Sequence, residues 1–337
     1  MNFITYNQNI NLQYLKLTFT VLLILILSSI TLFSYGVGVD DRGYLGHWDN
    51  ILPLNEYIFT NKVLYEVGLE RFYTYLFSFF KLFTDDIAIF KFFNTFLALS
   101  VLAYSYYRVT SRYYLILLLF TVGYFYIDVY IDQYRAGLSS AFGVLAIVLL
   151  SEGKIKSSLF WLFIGSIIHN SLIWLLILYI ALYSKLFILI VLSLVFFIFI
   201  PNKVEMLWNI LQQFNLIGAV SHIARKLVSY TYKSIDGNLV SIFSLVMIKT
   251  IFIYFLALKY KINKIYLNTY LFAILLFYVF LEFNTFGARI LRNILFVEPI
   301  LLYYILKENT KWIFFVLLVL LFNLFAKNLE HLERIFY

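Results

Sequence analysis

The sequence contains no cysteine, four histidines and few charges, and each shortage closes off a class of protein. Without cysteine there are no disulfides, thiolate nucleophiles, iron–sulfur clusters or cysteine-ligated zinc sites. His47, His169, His222 and His331 stand far apart, none at metal-ligand spacing, so no metal site and no cofactor is expected. Charged residues make up 13% of the chain, against about 25% in a soluble domain. That leaves too little polar surface to cover a water-exposed globule. No soluble domain, internal repeat or low-complexity tract stands out. Of the three prolines, Pro53 and Pro201 fall in or beside long loops and Pro299 falls inside an apolar segment.

What the chain has instead is apolar residues, 63% of 337, with a mean hydropathy of +0.88. Runs of ~20 apolar residues, the length that spans a bilayer core, recur along it. Spans are expected near 16–35, 87–107, 113–131, 134–151, 186–200, 240–258, 265–283, 289–306 and 312–327. The first lacks a basic leader region and a cleavage site, so it reads as a retained span. The fold class is therefore all-α: a polytopic integral membrane protein of about 9–11 transmembrane or re-entrant helices. It forms a single transmembrane domain over 1–337, with external loops at 36–86 and 201–239. A layout of the GT-C kind is compatible with this.

The formal charge of +8 would point to nucleic acid in a soluble protein, but here it sits mostly in short loops and sets orientation instead. Arg108 and Arg112, Lys154 and Lys156, Lys185, Lys259 to Lys264, and Lys307 with Lys311 form the basic set. The acidic set is Asp40, Asp41, Asp49, Glu56, Glu66, Glu70, Asp85, Asp86, Asp128 and Asp132. All basic loops share one side only if 71–84 does not cross and 157–183 enters and returns. The first then reads as an interfacial or re-entrant helix, and the second as a hairpin broken around His169-Asn170-Ser171. A single long span over 157–183 is the alternative. Broken backbone inside a membrane needs protein or water to satisfy it, so the break marks a cavity.

Ionisable residues in or at the ends of spans are functional candidates by default. Arg135, in Gln133-Tyr134-Arg135-Ala136-Gly137-Leu138, opens a span and offers a two-pronged fork suited to phosphate. The plainer reading is an arginine reaching up to the headgroups. Arg289 and Arg292, three apart, share a helix face and need an anion or an acid between them. Glu282 and Glu298 are candidate acids, and ion pairing alone is the rival reading; Glu298-Pro299 also reads as a buried carboxyl at a kink. His169 can donate to a phosphate or sugar, carry a proton, or merely bond a neighbouring helix. Asp40 and Asp41 follow Gly36 and Gly38, whose turn would hold them at the membrane surface, and a carboxylate there could act as general base. By loop charge alone, Asp40, Asp41, Glu66, Arg135, His169, Arg289 and Arg292 map to the outer half.

The ordered series Gly38-x-Asp40 with Tyr44, Glu66-x-Gly68, Gln133-x-Arg135-x-Gly137-Leu138, His169-x-Ser171 and the pair Arg289 and Arg292 resembles the EpsG-like branch of the Wzy polysaccharide polymerases. It covers roughly 36–300. The resemblance implies an undecaprenyl-diphosphate-linked oligosaccharide substrate at the outer face of a bacterial cytoplasmic membrane. It also implies no metal, and a flippase and a chain-length regulator as partners. The product would be O-antigen, capsule or exopolysaccharide. Arg135, Arg289 and Arg292 would hold the diphosphate; Asp40, Asp41, Glu66 or His169 would supply the base; Tyr44, Gln133 and Asn170 would touch the acceptor sugar. The rival functions are a lipid-linked oligosaccharide flippase, a membrane acyltransferase, and a ligase moving finished polymer.

Overall fold

Residues whose side chains cannot be covered by water must at least bond their own backbone, and helix is the structure that does so within one segment. The computed structural model describes residues 3–34, 39–56, 71–122, 126–183, 187–203, 245–281 and 294–317, with 206, 209 and 291. The described residues are helical with no strand, as the all-α expectation requires. Among the described residues, three helices are long and apolar enough to cross a membrane, within Asn11–Phe33, Ile87–Val109 and Tyr134–Ser151, and five shorter apolar helices accompany them. The chain divides into two compact units, Met1–Asn170 with Leu302–Tyr337, and Ser171–Leu301.

In the first unit, α1 (Phe3–Ile30) is followed by α2 (Val39–Asn50), α3 (Arg71–Phe80), α4 (Ile87–Val109), α5 (Tyr113–Val122), α6 (Tyr134–Ser151) and α7 (Ile155–Ile168). Helix α6 is its axis, buried almost throughout. Its Gly, Ala and Ser positions let neighbours approach closely. On one flank α7 runs antiparallel to it: Ser139 Oγ donates to the Gly165 carbonyl at 2.7 Å, and Ser158 Oγ to that of Ala146. On the other, α4 runs parallel to it. Asn94 Nδ2 donates to the Tyr134 carbonyl at 3.0 Å, and Arg108 pairs with Glu152 at the far end.

Several expected segments differ in detail. The loop expected over 36–86 contains α2, a helix that its polar composition alone does not favour, and α3 lies within 71–84, where an interfacial or re-entrant helix was expected. Helix α3 has ten residues, about 15 Å or half a bilayer core. Within the span expected over 113–131, α5 is described as far as Val122, and Ile127–Asp132 winds as a wider turn of the π type. Helix α1 starts well before residue 16. The break expected near His169 is present: α7 ends at Ile168, and His169 is extended (φ −149°, ψ 116°).

The second unit holds α8 (Trp174–Tyr183), α9 (Phe187–Ile198), α10 (Leu245–Ala257), α11 (Lys264–Val279) and the first turn of α12 (Glu298–Glu308). Glu298 is 3% exposed. It accepts from Lys249 Nζ and Tyr270 Oη, each at 2.6 Å. Pro299 lies in the first turn of α12, directly after a tighter 3-10 turn at Leu295–Val297.

Candidate functional site

Helix α2 is capped from a distance. The backbone N–H groups of Asp40 and Asp41 donate to Asp132 Oδ1, at 3.0 and 3.1 Å. The first N–H groups of a helix have no partner inside it, and a carboxylate there also meets the positive end of the helix dipole. The side chains Asp41, Tyr44, Trp48 and Ile51 make one stripe at helical spacing, and all four are buried.

The carboxylate of Asp41 is fully buried against Lys91 of α4, 3.0 and 3.1 Å from Nζ. Nζ also donates to the Ser34 carbonyl at 2.6 Å. An ammonium has three protons, so these acceptors satisfy a charge that burial would otherwise penalise heavily. The network joins the end of α1, the start of α4, α2 and the turn before α6. Aromatic rings close over it. Tyr44 lies 4.5 Å from Tyr134 between ring centres, Trp48 5.2 Å from Phe77, and Tyr73 5.8 Å from Phe90.

Arg135 follows the buried Tyr134 in the first turn of α6 and is half-buried, its guanidinium carbon 5.5 Å from the Tyr44 ring centre. Such a contact orients a cation at a gain of about 0.5–1 kcal/mol when exposed. The position adds the unpaired N–H groups of a helix start, which favour an anion. Gln133 just before it is buried, with its carbonyl accepting the first helix bond from Gly137 at 3.0 Å.

Gly137 permits the chain to fold back on itself. A Cβ there would meet Tyr130 Cε1 at 2.8 Å and the Val129 carbonyl oxygen at 2.9 Å. One neighbour is backbone, so it yields only if the turn before α6 moves. Gly137→Ala is expected to cost about 1–3 kcal/mol by overpacking. Thermal unfolding of the purified variant checks this, and an unchanged midpoint would contradict the close approach.

His169 sits at the same end of the first unit as Arg135, because α7 runs back along α6 from Ser158 to Gly165. It is half-buried, its N–H bonded to the Gly165 carbonyl at 3.0 Å, and Asn170 beside it is exposed. The structure thus brings Asp40, Asp41, Tyr44, Gln133, Arg135, His169 and Asn170 to one end of the unit. Glu66, Glu282, Arg289 and Arg292 lie outside the described residues, as do Gly36, Gly38 and Gly68.

Sequence reasoning passed over Lys91, Asp132 as a cap, and His47. The signal for Lys91 was its lysine inside an apolar segment. His47, on α2, has a pKa held below the usual histidine range, first by burial and then by the positive charge of Arg135. It is therefore neutral near pH 7. Its folded pKa lies below its unfolded value of about 6.5, so its contribution to stability is present above that pH and is lost as pH falls through it. Arg135→Gln is expected to raise the His47 pKa part of the way back, burial being the larger cause. NMR titration of the imidazole checks this; an unmoved pKa would mean the two charges do not meet.

Among the described residues, no group of three or more His, Asp or Glu side chains could hold a metal ion. Taken together, the helices and this cluster define a polytopic membrane protein with its polar, titratable side chains gathered at one end of a helical unit. The chain belongs to the EpsG family, whose model matches residues 17–334, as the ordered motifs indicated. Membership ties it to polysaccharide synthesis at a membrane. No curated protein and no solved structure matches it.

Proposed function

We propose that the protein polymerises undecaprenyl-diphosphate-linked oligosaccharide repeat units on the outer face of the cytoplasmic membrane, making O-antigen, capsule or exopolysaccharide. The observation that carries this reading is Arg135, held over Tyr44 at a helix start, at the same end of the unit as Asp40 and His169. A cation aimed by an aromatic ring beside candidate bases suits a substrate with a diphosphate at its reacting end and a greasy tail.

The reaction forms one bond and breaks one. A hydroxyl oxygen of the acceptor repeat attacks the anomeric carbon of the donor chain. The bond from that carbon to the diphosphate oxygen breaks, and its electron pair leaves with the lipid diphosphate. The hydroxyl proton passes to a protein base. Arg135, with Arg289 and Arg292, stabilises the charge growing on the leaving group, which is where electrostatic catalysis has most effect. The Asp41 carboxylate is held by Lys91, so it positions α2, and the base is Asp40, Glu66 or His169. Tyr44, Gln133 and Asn170 border the acceptor sugar. A flippase supplies the substrate to the outer face, and a chain-length regulator acts on the product.

Cells lacking the protein separate this from its rivals. A polymerase defect is expected to leave single repeats on lipid diphosphate, exposed at the outer face and open to added glycosidase. A flippase defect would leave them on the inner face. An acyltransferase defect would leave full-length polymer without its acyl groups, and a ligase defect full-length polymer still on its carrier. Either of the last two results, or the inner location, overturns the proposal.

A further inference from the structure

The first unit contains a second feature at the opposite end of α4 from the Asp41–Lys91 pair. A crevice of about 390 Å³ opens beside α5, the last turns of α12 and the residues just after it. Its walls include Leu118, Leu119, Leu306 and Leu317, and Arg112 and Lys307 stand among its lining. Arg112 follows the last turn of α4, so the crevice lies on the order of 25 Å along that helix from Lys91.

Neighbouring Arg108 is paired with Glu152, but among the described residues no ion pair forms at Arg112 or Lys307. Both side chains are exposed, and Lys307 Nζ lies 6.0 Å from the Tyr304 ring. Glu308, the adjacent carboxylate, does not line the crevice. The Tyr303 hydroxyl is already bonded to Thr110 Oγ1 at 2.8 Å, so the interior asks for an apolar occupant. An apolar slot with two cations among its lining matches a lipid tail under an anionic headgroup, since basic pockets between helices recruit acidic lipids.

We propose that this crevice binds an anionic phospholipid, one acyl chain against the leucine walls and its phosphate between Arg112 and Lys307. The site is separate from the candidate active site and does not rest on the polymerase reading. It uses the charged head and the tail together, so removing either breaks it.

The test uses the full-length protein in nanodiscs holding equal phosphatidylglycerol and phosphatidylcholine, with retained lipid identified by native mass spectrometry after release. The wild type is expected to keep phosphatidylglycerol selectively. Arg112→Gln with Lys307→Gln should lower that preference by about five-fold for each cation. Leu118→Trp, which fills the slot and keeps both charges, should abolish retention. The exposed charge variant should leave the fold intact, so the test does not depend on the tryptophan variant folding. Equal retention of both lipids by the wild type, or unchanged retention in the charge variant, would overturn the proposal. So would a disulfide between Leu118→Cys and Phe325→Cys with no lipid bound, because the chain's own C-terminal segment would then occupy the crevice. The absence of native cysteine makes that disulfide easy to read.

Discussion

Arg135→Lys is expected to lower the rate of chain elongation by roughly a hundred- to a thousand-fold, with substrate binding weakened less. The substitution keeps the positive charge and loses the planar fork that grips two diphosphate oxygens at once. It also loses the flat face that lies over Tyr44. The expected size, about 2.7–4 kcal/mol, is that of a contact made to charge as it develops in the transition state. A merely anchoring arginine would tolerate lysine, which also reaches up to headgroups. Rates measured on a lipid-linked repeat therefore distinguish the two roles, and normal polymer from Arg135→Lys would sink the diphosphate role.

The second large effect is on folding. Lys91→Met is expected to destabilise the protein by about 3–5 kcal/mol, because it removes the ammonium that balances the buried Asp41 carboxylate. Lysine and aspartate are 1% and 0% exposed, so water cannot replace the lost partner. Combining Lys91→Met with Asp41→Leu should recover most of the loss, since a buried pair exchanged whole for apolar groups is often neutral. The cap on α2 survives both changes, because Asp132 binds the backbone N–H groups and not the Asp41 side chain. Unfolding of the singles and the double in detergent gives the coupling. Additive losses, with no recovery in the double, would mean that the pair does not act as a unit.

The legible parts of this molecule were those written in local patterns. Apolar runs marked the membrane helices, and the charge bias of the loops marked the break at His169, where α7 ends. Motif order indicated the family. Helix α2 was not legible as a helix, although Asp41, Tyr44, Trp48 and Ile51 have helical spacing. Its composition is polar, and its tethers are Asp132, which caps it, and Lys91, which grips it. Those partners are 92 and 50 residues away, and periodicity carries no information at that range. The same reason hid the destination of Glu298. Among the described residues its partners are Lys249 and Tyr270. Lys91 and Lys249 could have been flagged by their place inside apolar segments.

A polymerase driven by a lipid-diphosphate leaving group should work unaided in a reconstituted bilayer. The purified protein receives one lipid-linked repeat unit, with chelator present and neither nucleotide sugar nor an energy source. The leaving group already supplies the driving force, and the protein has only to align two substrates and stabilise the departing charge. Lipid-linked products growing in whole-repeat steps are expected, abolished by Arg135→Ala. Substrate that binds to folded wild-type protein and crosses between leaflets with every covalent bond unchanged would contradict it.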